Sequence, residues 1–277
     1  MKTRMGRLTN VKPIKKLSAS AMSLFLKSPK AFYWRYVAGL EPIQPSVVTY
    51  DHDKHFGSCW SAFVDRFYKG VPEPQNALET TNAWQVGTDG WVPPKAREKL
   101  DKALEHLMPQ YYQQFDPQDG CRTPEGSEQW IETDLFCGRL DGISQDTIIH
   151  EVKSTSRSTS LNDQLWKVQN SLQVKLYCVM MNAMGHRIEF AFKDPPYQIY
   201  RGPVQTVSEE QLDAWGKELR TLAEHIYSLG DDPNHYVCNP DSCCLVTKYM
   251  ASMCPNQILC EQGYNDTTSI FYKQRGK

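Results

Sequence analysis

The spacing of apolar residues divides the chain into a helical first half, a strand-rich middle and a helical close. Ser18 or Ser20 can cap a helix in which Met22, Phe25 and Leu26 recur at helical intervals. Pro29 predicts a break, and Phe32, Tyr33 and Tyr36 mark a second helix beyond it. Trp60, Phe63, Val64 and Phe67 predict a core-facing helix that ends at Gly70. The Pro-, Gly-, Asn- and Thr-rich stretch near 71–94 reads as a long loop or lid, and a helix resumes across 95–115. From Gly126 the pattern alternates polar and apolar residues on either side of a turn around Ser144 to Asp146, which predicts two or three adjacent strands. Residues 161–185 then read as one long helix stopping at Gly185. Strands follow at 187–194 and 197–202, and a last helix runs from Ser208 to about Leu229.

Helices, strands, helix and strands in this order predict a mixed α/β fold. The expected organisation is one integrated domain: a helical region over 1–124, an α/β core over 125–207, and a helix with a Cys-rich tail over 208–277. With 40% hydrophobic residues in 277, the chain can fill a substantial core, which excludes a largely disordered protein. Its net charge of -1 gives no global attraction to a polyanion, so charge neither supports nor excludes nucleic acid. The basic leader has no apolar segment after it, and no run approaches the roughly 18 apolar residues of a membrane span. A soluble, cytoplasmic protein with no membrane partner is expected.

Of nine cysteines, Cys59, Cys121, Cys137 and Cys178 are scattered and read as ordinary buried thiols. Cys238, Cys243, Cys244, Cys254 and Cys260 crowd the C-terminal region, which in a cytosolic chain suggests metal or cluster binding before disulfides.

The chemistry concentrates at Gly138-Arg139-Leu140-Asp141 and, nine residues on, Glu151-Val152-Lys153. If Asp141 ends one strand and the second group lies on the next, Glu151 and Lys153 share a face, because strand side chains alternate. Two carboxylates can then hold a hard divalent cation such as Mg²⁺ that also grips a phosphate. Lys153 would orient the attacking water or stabilise charge developing on the phosphorus. An acid near a turn with an ExK on an exposed strand is common. Here, however, Glu151 and Lys153 interrupt the apolar run of Ile148, Ile149 and Val152, a costly placement without a partner or ion.

With these residues in view, the chain resembles the RecB-like branch of the PD-(D/E)xK nucleases, which includes CRISPR-associated adaptation nucleases and phage exonucleases. The resemblance spans roughly Leu17 to Gly185. Residues 17–40 are similar to the family's Ser-led aromatic helix, Phe56-Gly57-Ser58 to the entry of its glycine-histidine helix, Glu128 to its upstream acid, and Gln173 with Tyr177 to its QxxxY pair. It implies a restriction-endonuclease-like mixed sheet flanked by helices. It also implies Mg²⁺ or Mn²⁺ held by Asp141, Glu151, the Val152 backbone carbonyl and, more weakly, Glu128. Gln173 and Tyr177 would contact the DNA backbone or brace the site.

Two departures stand out. Trp60 occupies the place of a metal-binding histidine, with His52 and His55 lying upstream. Ser28 replaces the cysteine that would join three C-terminal cysteines around a [4Fe-4S] cluster. Cys243 or Cys244, Cys254 and Cys260 keep the triplet, with Cys238 or Cys244 as a fourth ligand. An iron-sulfur cluster, Zn²⁺ or simply buried thiols all fit that pattern. The expected function is a metal-dependent exonuclease acting on single-stranded DNA or duplex ends in recombination, repair or replication, alongside proteins of those pathways. It would work in the cytoplasm of a bacterial cell, or of the host if phage-encoded. The rival is a nucleic-acid-binding or assembly protein with the same fold and weakened catalysis.

Overall fold

The computed structural model of the protein describes residues 14–42, 52–70, 93–156, 160–237, 259 and 272–274. The five clustered cysteines, Cys238, Cys243, Cys244, Cys254 and Cys260, lie outside the described residues, as does most of the expected loop, 71–92. The chain divides into two compact units. One comprises Met1–Val47, Thr133–Cys137 and Lys217–Lys277, and the other Val48–Glu132 and Gly138–Gly216.

In the first unit, helix α1 (Ala19–Lys27) starts where the Ser18 hydroxyl accepts a hydrogen bond from Ala21 N (3.2 Å). Ser28 ends α1 through its own N–H to Leu24 O. Its hydroxyl also caps α2 (Pro29–Phe32) by accepting from Ala31 N (3.2 Å). The buried Ser28 therefore has a local structural task of its own at the helix junction. A π turn, Tyr33–Val37, continues from α2. Phe25 meets Phe32 edge-on at 5.4 Å between ring centroids, and Tyr33 lies 5.0 Å from Tyr236. Strand β1 (Leu40–Pro42) pairs antiparallel with the C-terminal strand Tyr272–Gln274.

The second unit is built on a mixed sheet between two helical layers. Helix α3 (His52–Tyr68) and α4 (Pro94–Gln114) pack through Phe56, Trp60, Phe63, Phe67, Leu104 and Tyr111. Trp60 is fully buried and edge-on to Tyr111 at 5.6 Å, so the residue at the family's histidine position is a core side chain. Short strands β2 (Trp130–Glu132) and β3 (Cys137–Arg139) lead to β4 (Gly142–Ile143) and β5 (Ile148–Thr155). The turn falls where expected: Thr147 N donates to Ser144 O, with Thr147 in the left-handed region (φ 56°).

The segment expected as one helix is two, α5 (Leu161–Gln169) and α6 (Leu172–Met181). Ser171 interrupts it, because its hydroxyl accepts from Val174 N (3.3 Å) and caps a new helix. Asn182 in the left-handed conformation (φ 47°) ends α6, and Gly185 instead opens strand β6 (Gly185–Phe192). Gly185 suits that strand because an added Cβ would lie 2.6 Å from Gln205 O. Strands β7 (Gln198–Arg201) and β8 (Gln205–Thr206) complete the sheet, and helix α7 spans Glu209–Ser228. The order is β4-β5-β6-β7, with β8 also on β6; β5 and β6 are parallel and the other pairs antiparallel. The parallel crossover runs through α5 and α6, as such a connection requires.

Register fixes what each face of the sheet carries. Val152 and Ala191 join the core beneath α3 and α4, while Ile188, Phe190 and Phe192 pack under Leu161, Leu165 and Val168 of α5. Since Glu151 pairs with Ile188 and Lys153 with Phe190, both belong to the α5/α6 face. No described helix is long and apolar enough to cross a membrane.

Candidate active site

Asp141 sits in the turn between β3 and β4, held from three directions. Its Oδ2 accepts from Val152 N (2.8 Å), and its carbonyl oxygen accepts from Arg122 Nη1 and from Glu128 N (3.2 Å). The N–H and C=O of one strand residue point to the same edge, so the Val152 carbonyl lies on the edge of β5 that faces Asp141.

Glu151, two residues along β5 from Lys153, is fully buried. Its Oε1 pairs with Lys153 Nζ, whereas Oε2 has no hydrogen-bond partner. Burial and then the charge of Asp141 push the Glu151 carboxyl up to about 7, against the pull of Lys153 and Arg122. Burial works against charge on Lys153, but Glu151 and Asp141 outweigh it and hold the ammonium above its usual range. Lys153 Nζ also donates to Gln173 Oε1 (3.3 Å). The structure thus brings Glu151, Lys153 and Gln173 into contact and places Asp141 one hydrogen bond from the same strand.

Tyr177, one turn beyond Gln173 on α6, lies against the backbone of Gly138. A Cβ there would run into the Tyr177 ring. Burial first, then the charges of Glu151 and Asp141, push its phenol up to about 12, so it stands neutral beside the acids. Gly138→Ala is accordingly expected to force the ring aside and cost about 1–3 kcal/mol. Urea unfolding checks this, and an unchanged midpoint would remove Gly138 from the support of Tyr177.

Glu128 adopts a left-handed backbone (φ 55°), uncommon for a non-glycine residue and found where surrounding contacts over-determine it. Its carboxylate accepts from Ser61 on α3 and pairs with Arg139 Nε (2.9 Å). Helix α3 comes close to β5 at Gly57, where a Cβ would lie 3.2 Å from Ser154 Oγ. His52 and His55 occupy its first turn, and burial lowers the pKa of both.

Residues on the opposite face of β5 and β6 escaped the sequence reading. Glu189, fully buried, accepts from Arg201 Nε (2.9 Å) and Tyr111 Oη (3.1 Å), and lies 3.5 Å from His150 Nε2. Burial opposes its charge, but His150, Arg201 and Arg122 bring its carboxyl down to about 2. A carboxyl depressed on folding contributes stability above its unfolded pKa near 4.5 and loses it as pH falls toward 2. Urea unfolding at stepped pH should show that loss for the wild-type chain and a flatter dependence for Glu189→Gln. The only hint in the sequence was period-two alternation, which puts His150 and Glu189 on the faces opposite to Glu151 and Ile188.

Whether a divalent cation fits can be judged from the donors present. Among the described residues no group of three or more His, Cys, Asp and Glu side chains is assembled as a metal site. The buried Glu151 Oε2, without a hydrogen-bond partner, and the nearby Asp141 carboxylate are nevertheless oxygen donors of the kind that a hard cation keeping several waters takes.

Comparison with solved structures gives distant likenesses. A protein from Eubacterium rectale described as a "Putative exonuclease" is 11% identical with a TM-score of 0.47, covering 79% of this chain and 83% of its own. The protein SSO0001 is 12% identical with a TM-score of 0.28, covering 78% and 80%. No curated protein matches the chain. The family model of the PD-(D/E)XK nuclease superfamily matches residues 16–261, a span that contains the turn at Asp141, the Glu151–Lys153 pair and the two helical layers around them, and the chain belongs to this superfamily.

Proposed function

We propose that this nuclease is a divalent-metal-dependent deoxyribonuclease that degrades DNA from single-stranded or duplex ends. The observation that carries the reading is Glu151: a fully buried carboxylate, one oxygen on Lys153 and the other without a partner, beside Asp141. Burying that much negative charge in a packed sheet is costly unless a cation shares it.

Asp141, Glu151 and the Val152 carbonyl would hold Mg²⁺ or Mn²⁺, with Glu128 near the same turn through its N–H to Asp141 O. When bound, such an ion polarises the scissile phosphate and lowers the pKa of a coordinated water. The chain's own groups do the rest. Lys153, kept charged by its two acid neighbours, holds the attacking water or neutralises charge growing on the phosphate oxygens. Gln173 keeps Lys153 from collapsing wholly onto Glu151 by accepting from its Nζ. Tyr177 supplies a neutral phenol close to the acids and a flat surface on Gly138.

Substrates labelled separately at the 5′ and 3′ ends test this reading in Mg²⁺ and in Mn²⁺. Release of mononucleotides or short oligonucleotides from an end is the expected result. Internal cuts in circular DNA would overturn the end-dependence. Binding without cleavage in either metal would make the chain a DNA-binding member of the superfamily.

A further inference from the structure

Behind the sheet from Glu151 lies a second group of chemistry-bearing side chains that the proposed reaction does not use. Cys121 Sγ is 3.1 Å from His150 Nδ1 and accepts from Arg187 Nη1 at 3.4 Å. Cys121, His150 and Arg187 line a cavity of about 220 Å³ together with Asp119, Asp146 and Ile148. His150 is fully buried, with its Nε2 directed at Glu189, 3.5 Å away, on the side of the ring opposite Cys121. Cys121 is therefore a thiol set among an imidazole and a guanidinium at a cavity wide enough for water-sized molecules.

Arg122 joins this cavity to the acids. Its Nε donates to the same His150 Nδ1 (2.8 Å), and its Nη1 donates to the carbonyl oxygen of Asp141. Gly142 leaves room for this path, since a Cβ there would lie 2.6 Å from Arg122 Nε.

We propose that Cys121 is an oxidation site for small peroxides, and that its sulfenic acid weakens the Asp141 site by displacing Arg122. In the reaction, the sulfur attacks one oxygen of hydrogen peroxide. The S–O bond forms as the O–O bond breaks, and the sulfur gives up two electrons. The second oxygen leaves with the thiol proton as water, so thiol and peroxide become sulfenic acid and water. The 3.1 Å between Sγ and His150 Nδ1 leaves no room for the added oxygen, so oxidation moves the imidazole aside and breaks the bond that Arg122 Nε donates to the same nitrogen. Burial raises the thiol's pKa, but His150 through its charge and hydrogen bond, the charge of Arg201 and the hydrogen bond from Arg187 outweigh it and bring it down to about 7. Cys178, by contrast, is pushed up to about 12 by burial and by Glu151, and serves as an internal control.

The test treats the whole protein with hydrogen peroxide, traps sulfenic acid with dimedone and quantifies adducts peptide by peptide by mass spectrometry. Labelling at Cys121 should exceed that at Cys178 by at least about tenfold. Equal labelling would overturn the site, and this measurement needs no variant. A second arm rests on the nuclease reading. Peroxide should lower wild-type cleavage by about tenfold, in line with loss of a supporting contact behind a metal ligand. Cys121→Ser should keep its rate under the same treatment. Labelled Cys121 with wild-type cleavage unchanged would overturn the link to Asp141. A protein that cleaves nothing before oxidation would fail the nuclease reading, while the labelling arm alone would still uphold or sink the oxidation site.

Discussion

Asp141→Asn is expected to slow DNA cleavage by at least about 100-fold while leaving the chain folded. The amide oxygen of Asn can still accept the Val152 N–H, so the turn between β3 and β4 keeps its anchor. Arg122 and Glu128 bind the Asp141 main chain, which the substitution does not alter. What disappears is the negative charge facing the Glu151 carboxylate. Initial rates in saturating Mg²⁺, paired with urea unfolding of the same preparation, separate lost chemistry from lost structure. An unchanged rate would remove Asp141 from the site.

The second large effect concerns stability. Arg201→Ala should destabilise the protein by about 3–5 kcal/mol, because it strands the fully buried Glu189 without its closest cation. The guanidinium also binds Asp119, Tyr68 and Tyr111 and lies over the Phe115 ring, 3.4 Å from its centroid, so packing is lost together with charge. Replacing both partners, Arg201→Met with Glu189→Leu, should recover much of the loss, since neither member of the pair is then left without the other. A loss below about 1 kcal/mol for Arg201→Ala would mean that the pair behaves like an exposed one.

The two predictions concern opposite faces of one strand pair, and the faces were unequally legible. Glu151 and Lys153 stood out because two charges interrupt an apolar run, a local conflict that needs a partner. The sheet supplies one for each in the other, and Gln173 completes the contact from twenty residues away. The network around Glu189 carried no such signal. Tyr68, Tyr111, Asp119, His150 and Arg201 come from five separate segments: Arg201 is the register partner of Glu189 across β6 and β7, the pairing of β5 with β6 sets His150 beside it, and α3 and α4 bring in Tyr68 and Tyr111.

Helix boundaries show a similar contrast. Ser18 and Ser28 act as caps where the sequence places a cap and a break, because an oxygen within reach of the third residue's N–H is a local interaction. Asn170-Ser171 was hidden inside a continuous helical periodicity, as neither residue forbids a helix and the capping choice at Ser171 depends on packing against the sheet. Trp60 was legible as core from its neighbours Phe63, Val64 and Phe67 and as an anomaly from the family pattern. The structure gives it the core role. Ser28 likewise has its hydroxyl engaged with the α2 N-terminus.

The most direct test of the metal-centred site uses one preparation of wild-type protein stripped with EDTA and assayed on end-labelled DNA before and after Mg²⁺ or Mn²⁺ is restored. The site predicts no cleavage after stripping, recovery on adding either ion, and no recovery for Glu151→Gln. Undiminished cleavage in EDTA, or full recovery by the Glu151 variant, would contradict it.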